Sequence, residues 1–468
     1  MRSRDTMKST QTSRNDGFPL DFLWGCATSS YQIEGAFNEG GRGLSIWDAY
    51  CREPGRVSRG QNGDVACDSY LRWPEDVALL SDLGVDAYRF SVAWPRVQPD
   101  GRGPVNRAGL DYYARLVDAL LAKGIEPWIT LYHWDLPLAL GQSGGWTDRD
   151  TAYRFAEYAS IMYRGLGDRV VHWTTLNEPW CSAFLGYEYG EHAPGLRDRA
   201  SALSATHHML LAHGLAVGSF RSSGYVGEIG LVINPATPRP ATRRDSDRAA
   251  AERASVERTG LWLDPVYGRG YPAAYLKARG AEMPIQAGDM DIIAAPINFL
   301  GVNYYNEDAV ITAPATTEAP DGYRFVSTAL PKTEMGWDVV PQGLRRVLGY
   351  IADTWPVRSL YVTENGAAYA DKTPVSAETL AGRVHDADRV AYYRGHIAAC
   401  RESIADGVPL KGYFAWSLLD NFEWAHGYDK LFGLVAVDPR TLVRTPKDSY
   451  LFYRDVITGY GLEHAPQP

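Results

Sequence analysis

Two glutamates stand at positions whose residue type and surroundings could break a glycosidic bond. Glu178 lies in the segment TTLNEP and Glu364 in YVTENG, and each follows a short apolar, β-branched run that is typical of a buried strand. Glycosidic cleavage needs one acid that protonates the leaving oxygen and one carboxylate that attacks the sugar or activates water. For either glutamate alone, capping of the following helix is an equal explanation, because acidic residues favour first turns.

The elements that would carry these glutamates alternate between short strands and longer helices. Segments such as 111–124 and 151–167 have apolar residues at i, i+3, i+4 and i+7 and end at glycine, a frequent helix stop. This alternation indicates right-handed βαβ units and a parallel sheet. Because no dinucleotide-binding glycine pattern follows the first strand, we expect an α/β fold, a single closed (β/α)8 TIM barrel with long βα loops, rather than an open doubly wound sheet. The predicted strands cover residues 22–28, 87–94, 126–134, 172–179, 229–235, 299–305, 359–366 and 412–421.

Polar and aromatic side chains collect at the ends of these predicted strands. In barrels of this kind the active site lies at the carboxyl-terminal strand ends, where the βα loops converge. Seven of the eight strands end in such side chains, and this is the strongest indication in the sequence that both glutamates face one site. The strand-end residues are Arg89, His133, Asn177, Glu178, Asn234, Asn303, Tyr305, Glu364, Asn365 and Trp416.

The chain has 468 residues, which is long for one domain, but no linker, repeat or low-complexity run divides it. We therefore expect one catalytic barrel over residues 17–468, preceded by a flexible polar tail over residues 1–16 that lacks the apolar stretch of a secretory signal. The stretches 236–258 and 306–335 are expected to be loops, the first leading into a helix. The 14 Trp, 29 Tyr and 13 Phe predict a site lined by aromatic rings as well as a core.

The charge and the cysteine content of the chain limit its possible partners and its cellular compartment. With 47 basic and 56 acidic side chains the formal net charge is −9, which argues against a nucleic-acid partner. No apolar run approaches the length of about 18 residues that a membrane-spanning helix needs. The five cysteines lack metal-ligand spacing, and we expect no disulfide framework, no metal and no cofactor in a reducing, cytoplasmic setting. The motif HHMLLAHG does not place its histidines on one helix face, so packing histidines are favoured over a metal site.

Several motifs in the order seen here resemble glycoside hydrolase family 1, the β-glucosidase family. The resemblance extends from about Phe18 to Gly459. No single tetrapeptide would be specific, but the ordered set is. Its pieces are FLWGCATSSYQIEGA, YRFSVAWPRV, LYHWDLP, TLNEP, GVNYY, VTENG and WSLLDNFEWAHGY.

This resemblance implies catalytic roles that can be assigned residue by residue. Glu178 in the NEP motif corresponds to the general acid/base, and Glu364 in the TENG motif to the nucleophile of a retaining β-glycosidase. The first should have a raised pKa and the second should stay ionised. Arg89 is the natural cation for keeping Glu364 charged, and Tyr305 can donate a hydrogen bond to it. Retention predicts that the two carboxyl groups lie about 5–5.5 Å apart.

The resemblance also implies a sugar-binding set. Trp416 corresponds to the platform on which the sugar stacks, although core packing is the alternative for it and for Trp424. Trp134 and Asn303 are expected to support the site, and Trp337 to form a wall on the aglycone side. Asn234 is a further candidate on that side. The residues expected to bind sugar hydroxyls are Gln32, His133, Asn177, Glu423 and Trp424, together with Tyr305 near the nucleophile.

The expected partner is a small β-glucoside or a cello-oligosaccharide. A carboxylate at Glu423 would repel a 6-phosphate, so phosphorylated glycosides are disfavoured although Lys430 is nearby. Two function classes stay open: a retaining β-glucosidase, or a barrel that binds sugar without cleaving it. The presence of both glutamates favours the enzyme. The sequence leaves open the preferred sugar, the aglycone, the balance with transglycosylation and the oligomeric state.

Overall fold

The computed structural model describes residues 17–314, 316, 321–371 and 384–459. The predicted tail over residues 1–16 lies outside these described residues. In chain order the strands are β1 Leu23–Ala27, β2 Ala87–Ser91, β3 Glu126–Tyr132, β4 His172–Asn177, β5 Glu228–Ile233, β6 Arg239–Pro240, β7 Phe299–Asn303, β8 Ala309–Thr312, β9 Tyr323–Val326, β10 Leu360–Asn365, β11 Leu410–Trp416, β12 Val435–Val437 and β13 Arg444–Pro446.

A closed barrel forms the centre of the molecule, as the sequence predicts. The strands β1, β2, β3, β4, β5, β7, β10 and β11 follow one another around it, and every neighbouring pair is parallel. The barrel closes at β1, where Ala27 lies opposite both Arg89 on β2 and Trp416 on β11. Because all strands run the same way, their carboxyl-terminal ends meet at one rim.

Aromatic rings fill the barrel lumen below that rim. The ring of Trp128 on β3 lies 5.2 Å from Phe299 and 4.8 Å from Tyr361, measured between centroids. Neither partner is on a strand next to β3, so these rings meet across the lumen. Gly25 leaves room for the ring of Phe414, since a Cβ there would lie 2.2 Å from that ring. The lower barrel is therefore packed, and a cavity is possible only at the carboxyl-terminal rim.

Helices surround the barrel. In α5 the buried residues Leu110, Tyr113, Val117 and Leu120 share one face, and the chain leaves the helix through Gly124 at φ +73°. The helices are α1 Ser30–Ile33, α2 Ile46–Tyr50, α3 Ser69–Leu83, α4 Trp94–Val97, α5 Arg107–Ala122, α6 Leu138–Gln142, α7 Asp150–Leu166, α8 Arg199–Ser223, α9 Asp245–Ser255, α10 Leu261–Val266, α11 Ala273–Arg279, α12 Asp289–Ile293, α13 Pro341–Thr354, α14 Ala387–Ala405 and α15 Asp448–Ile457.

Two small sheets lie in the βα loops, and one of them differs from the loop prediction. The stretches 236–258 and 306–335 contain β6, β8 and β9, which form a three-stranded sheet beside α9. Arg239 pairs with Ala309 across 70 positions of sequence, and no local pattern signals such pairing. The second sheet joins β12 and β13. No helix in the described parts of the chain combines the length and apolarity that crossing a membrane requires.

Candidate active site

Glu178 and Glu364 line one cavity of about 390 Å³ at the carboxyl-terminal rim. Glu364 is the second-to-last residue of β10, and Glu178 directly follows the last residue of β4. Both side chains are buried, with 6% and 3% of their surfaces exposed. Glu178 has φ +44°, a conformation that costs a non-glycine residue about 1–3 kcal/mol. Its N–H still donates to the Val232 carbonyl at 2.9 Å, so strand pairing holds the strained residue at the rim.

Two donors hold the carboxyl group of Glu364. Arg89 Nη1 donates to Oε1 at 2.6 Å, and the Tyr305 hydroxyl donates to Oε2 at 2.6 Å. Burial raises the pKa of Glu364, while the Arg89 charge and the Tyr305 hydrogen bond act in the opposite direction. The arginine and the tyrosine therefore favour an ionised carboxylate inside a site that would otherwise neutralise it.

The carboxyl group of Glu178 has weaker, uncharged partners. Asn303 Nδ2 donates to Oε1 at 2.7 Å, and the Cys181 thiol donates to Oε2 at 3.2 Å. Burial, followed by the charge of Glu364, raises the pKa of Glu178 to about 7. Since Arg89 pairs with Glu364 and not with Glu178, a proton shared by the two carboxyl groups resides on Glu178.

Amide side chains connect the two carboxyl groups below the cavity. Asn177 Oδ1 accepts from Arg89 Nη2 at 2.6 Å and from Asn303 Nδ2 at 3.1 Å. The Thr363 hydroxyl donates to Asn303 Oδ1 at 2.7 Å, which sets the orientation of that amide. The network leaves little freedom for either glutamate to move, because its members are buried and join four strands of the barrel, β2, β4, β7 and β10.

Another part of the cavity wall consists of rings. The His133 ring lies 5.8 Å from Trp416 and 5.9 Å from Trp424, and the planes are within 15° and 14° of parallel. Burial, helped by the charge of Arg89, lowers the pKa of His133 well below its usual value, so the imidazole is neutral. Trp134 and Trp424 both have positive φ, +78° and +49°, so the backbone turns sharply at these two residues of the wall.

Glu423 is a half-buried carboxyl group on the cavity wall. Gln32 Nε2 lies 3.4 Å from its Oε2, and the same nitrogen donates to the Phe422 carbonyl at 2.8 Å. Burial, together with the charges of Glu364 and Glu178, raises the pKa of Glu423 to about 8. Neutral Glu423 can both donate and accept hydrogen bonds, which suits a hydroxyl group.

Comparisons with known proteins agree with this geometry. The family model described as glycosyl hydrolase family 1 matches residues 14–462. The chain belongs to glycosyl hydrolase family 1. It is 47% identical over 452 residues to β-glucosidase A of Thermotoga maritima, covering 95% of this chain and 99% of that protein. It is 44% identical to a bifunctional β-D-glucosidase/β-D-fucosidase of Bifidobacterium breve over 95% of this chain and 98% of that protein.

Solved structures of family 1 enzymes have the same fold. The Thermotoga maritima β-glucosidase in complex with deoxynojirimycin superimposes with a TM-score of 0.92 at 46% identity, covering 96% of this chain and 100% of that chain. The predicted family, the closed barrel and the enzyme class are thereby confirmed: the protein is a glycoside hydrolase.

The family 1 residues predicted from sequence fall into two layers. Those in the second layer do not line the cavity but contact residues that do: Arg89 contacts Glu364, Gln32 contacts Glu423, and Asn177 lies 3.2 Å from His133. Trp134 donates its indole N–H to the Asn177 carbonyl at 3.0 Å. The predicted residues that line the cavity are Glu178, Glu364, His133, Trp134, Asn303, Tyr305, Trp337, Trp416, Glu423 and Trp424.

Several residues of the cavity wall were missed in the sequence, and two of them, Cys181 and Arg258, act on Glu178. Cys181 follows Glu178 by three positions, a spacing that brings side chains together on a helical turn and could have drawn attention to it. Arg258 lies far from every barrel strand in sequence, and no local signal connects it with the site. Asn234, considered for the aglycone side, lines the cavity and donates to Cys181 Sγ at 3.3 Å.

The histidines of the HHMLLAHG motif have separate partners. His207 contacts Tyr271 and Asp289, His208 contacts the Trp146 carbonyl, and His213 contacts Thr175. Across residues 17–459, outside the undescribed gaps, no group of three or more acidic, histidine or cysteine side chains is arranged to hold a metal ion.

Proposed function

We propose that this family 1 hydrolase is a retaining β-glucosidase in which Glu178 is the general acid/base and Glu364 the nucleophile. One observation carries the assignment: the two buried carboxyl groups line one cavity, and only Glu364 has an arginine and a tyrosine as partners. The opposite environments match the opposite protonation states that acid and nucleophile require.

In the first step the Glu364 carboxylate attacks the anomeric carbon of a β-D-glucosyl residue. The bond from that carbon to the leaving oxygen breaks, and Glu178 transfers its proton to this oxygen. In the second step Glu178, now ionised, takes a proton from water as the water oxygen attacks the same carbon. The bond to Glu364 breaks, and glucose leaves in the β-configuration.

The glycone is proposed to bind against the rings and carboxyl group that line the cavity beside the catalytic pair. Trp416 offers a face to the C–H surface of the sugar, and Glu423 with Gln32 suits two adjacent hydroxyl groups. Asn177 lies behind the cavity wall, where it contacts Arg89 and His133, and we propose that it reaches the 2-hydroxyl when sugar is bound. A 6-phosphate beside Glu423 would lie within reach of the negative charge of Glu364, which already acts on Glu423, so unphosphorylated β-glucosides and cello-oligosaccharides are the proposed substrates.

We also propose a side activity on a second β-glycoside. The relative from Bifidobacterium breve that carries both β-D-glucosidase and β-D-fucosidase activities in its name supports a side activity on β-fucosides. A panel of aryl β-glucoside, β-fucoside, β-galactoside and 6-phospho-β-glucoside measures this. The phosphorylated sugar should have the lowest kcat/KM, and a higher value for it than for the parent glucoside contradicts the proposal.

A cytoplasmic setting is also proposed. The five cysteines are buried free thiols, as expected of a protein that matures under reducing conditions. Cell fractionation followed by activity assay tests this proposal, and activity confined to the culture medium would contradict it.

Retention is tested by proton NMR of the first product formed from an aryl β-glucoside. β-Glucose should accumulate before mutarotation produces the α-anomer. Initial release of α-glucose would exclude the covalent route through Glu364.

A further inference from the structure

The cavity wall near Glu178 carries a cation that the proposed reaction does not use. Arg258 lies in the π-helical turn Val256–Gly260, half-buried, and lines the cavity together with Trp180. Its Nε is buried without a hydrogen-bond partner, and among the described residues no ion pair engages its guanidinium. Cations in such surroundings are normally paired.

Stacking fixes the position of this guanidinium. Its central carbon lies 3.9 Å from the centroid of the Trp180 ring, a cation–π contact. Behind it, Trp180 stacks on Phe184 with 5.6 Å between centroids and 9° between planes. The cation is therefore already held in place before any ligand arrives, which reduces the ordering cost of binding.

Within the described part of the chain, no acidic group of the cavity forms an ion pair with Arg258. Glu178 is protonated below about pH 7, and burial raises the pKa of Asp308 while the charge of Arg258 acts to lower it. Glu191 is exposed at the rim. Three of the other acidic groups have partners of their own. Arg346 donates to both carboxyl oxygens of Glu307, at 2.7 and 2.6 Å, and Arg89 donates to Glu364. The Asn306 amide donates to Asp308 at 2.7 Å.

Arg258 lies on the side of the cavity where the leaving group departs. Its stacking partner Trp180 comes between Glu178 and Cys181 in the chain, and the Cys181 thiol donates to Glu178 Oε2 at 3.2 Å, whereas Glu423 is contacted by Gln32 in the sugar-binding wall. The charge of Arg258 acts on Glu178, Cys181 and Asp308. Since Glu178 delivers its proton to the leaving oxygen, the groups on its side of the cavity face the aglycone.

We propose that Arg258 makes the leaving-group end of the cavity a subsite for aglycones that carry a carboxylate. The inference rests on the proposed β-glucosidase function and adds a substrate class to it. A guanidinium binds a carboxylate through two parallel hydrogen bonds, and a lysine at the same place offers only a point charge.

The test compares 4-carboxyphenyl β-D-glucoside with 4-carbamoylphenyl β-D-glucoside, which differ in charge and little in shape. The wild-type enzyme should have the higher kcat/KM on the carboxylate. In Arg258→Gln the carboxylate-to-amide ratio should fall about tenfold or more, and Arg258→Lys should be intermediate. Added salt should lower the wild-type ratio. The ratio is taken within each variant, so any effect of Arg258 on the pKa of Glu178 cancels.

Arg248→Gln is the matched control. Arg248 is on α9, its side chain is 57% exposed, and it lies outside the cavity lining, so its loss changes the net charge by the same amount. Its ratio should equal that of the wild type. A ratio that does not change in Arg258→Gln, or a wild type that prefers the amide, overturns the subsite while leaving the enzyme assignment intact. Failure of the wild type to cleave either glucoside overturns the proposed function and the subsite with it.

Discussion

Replacing Cys181 by valine is expected to move the alkaline limb of the pH–activity profile to higher pH. In the wild type, burial and the charge of Glu364 raise the pKa of Glu178 to about 7, and the Cys181 thiol donates to Glu178 Oε2 at 3.2 Å. A hydrogen bond to a carboxylate stabilises its ionised form and lowers its pKa. Valine occupies similar space without a donor, so the pKa of Glu178 should rise.

The size of the shift follows from the strength of that hydrogen bond. A thiol is a weak donor, and its net contribution to a carboxylate is about 1 kcal/mol. One pKa unit corresponds to about 1.4 kcal/mol, so the limb should rise by about 0.7 unit. In the proposed mechanism Glu178 must be protonated to release the leaving group, and a higher pKa keeps it protonated over a wider pH range. At pH 8 the variant should retain a roughly three- to fourfold larger share of its maximal kcat/KM than the wild type.

The assay is kcat/KM from pH 4 to 10 on an aryl β-glucoside with a poor leaving group, since this quantity reports the pKa values of the free enzyme. Cys181→Ser keeps a donor and should leave the limb at or below its wild-type position. Glu178→Gln should remove the limb altogether. A limb that stays in place or moves down in Cys181→Val would show that the thiol does not act on the Glu178 carboxyl group.

Three further results are expected. Glu364→Ala should lose about 10⁴-fold or more in hydrolysis, and azide should restore turnover with formation of the α-glucosyl azide; a β-azide would contradict the assignment. Arg89→Met should leave Glu364 buried without its partner at 2.6 Å, which should lower the free energy of unfolding, measured by chemical denaturation, by about 3–5 kcal/mol. The acidic limb of the pH–activity profile should move to higher pH. An acidic limb that does not move would count against Arg89 as the cation that keeps Glu364 ionised. Glu423 has a folded-state pKa of about 8 against 4.5 when unfolded, so its contribution to stability is complete below pH 4.5 and is lost as the pH rises through 8. Glu423→Gln should therefore have a higher Tm than the wild type at pH 8.5 and no advantage at pH 4.5, with weaker sugar binding at both; equal Tm values at pH 8.5 would exclude a raised pKa.

The barrel could be predicted because its signals are local. Each barrel strand is buried almost throughout and so appears in the sequence as a continuous apolar run, and helices such as α5 have one apolar face. The sheet of β6, β8 and β9 could not be predicted, because β6 has only two residues and its pairing partner β8 is far away in the chain.

The sequence by itself determined the strand ends that carry Glu178 and Glu364, and with them the family and the class of reaction, since residue type and order along the chain suffice for both. Only the tertiary structure decided how the two carboxyl groups differ. Burial, the placement of Arg89 beside Glu364 and the thiol beside Glu178 depend on distances across the barrel, and electrostatic interactions depend on those distances and not on separation in sequence. The same reason applies to Arg258, which reaches the cavity from a helical turn that no sequence motif marks.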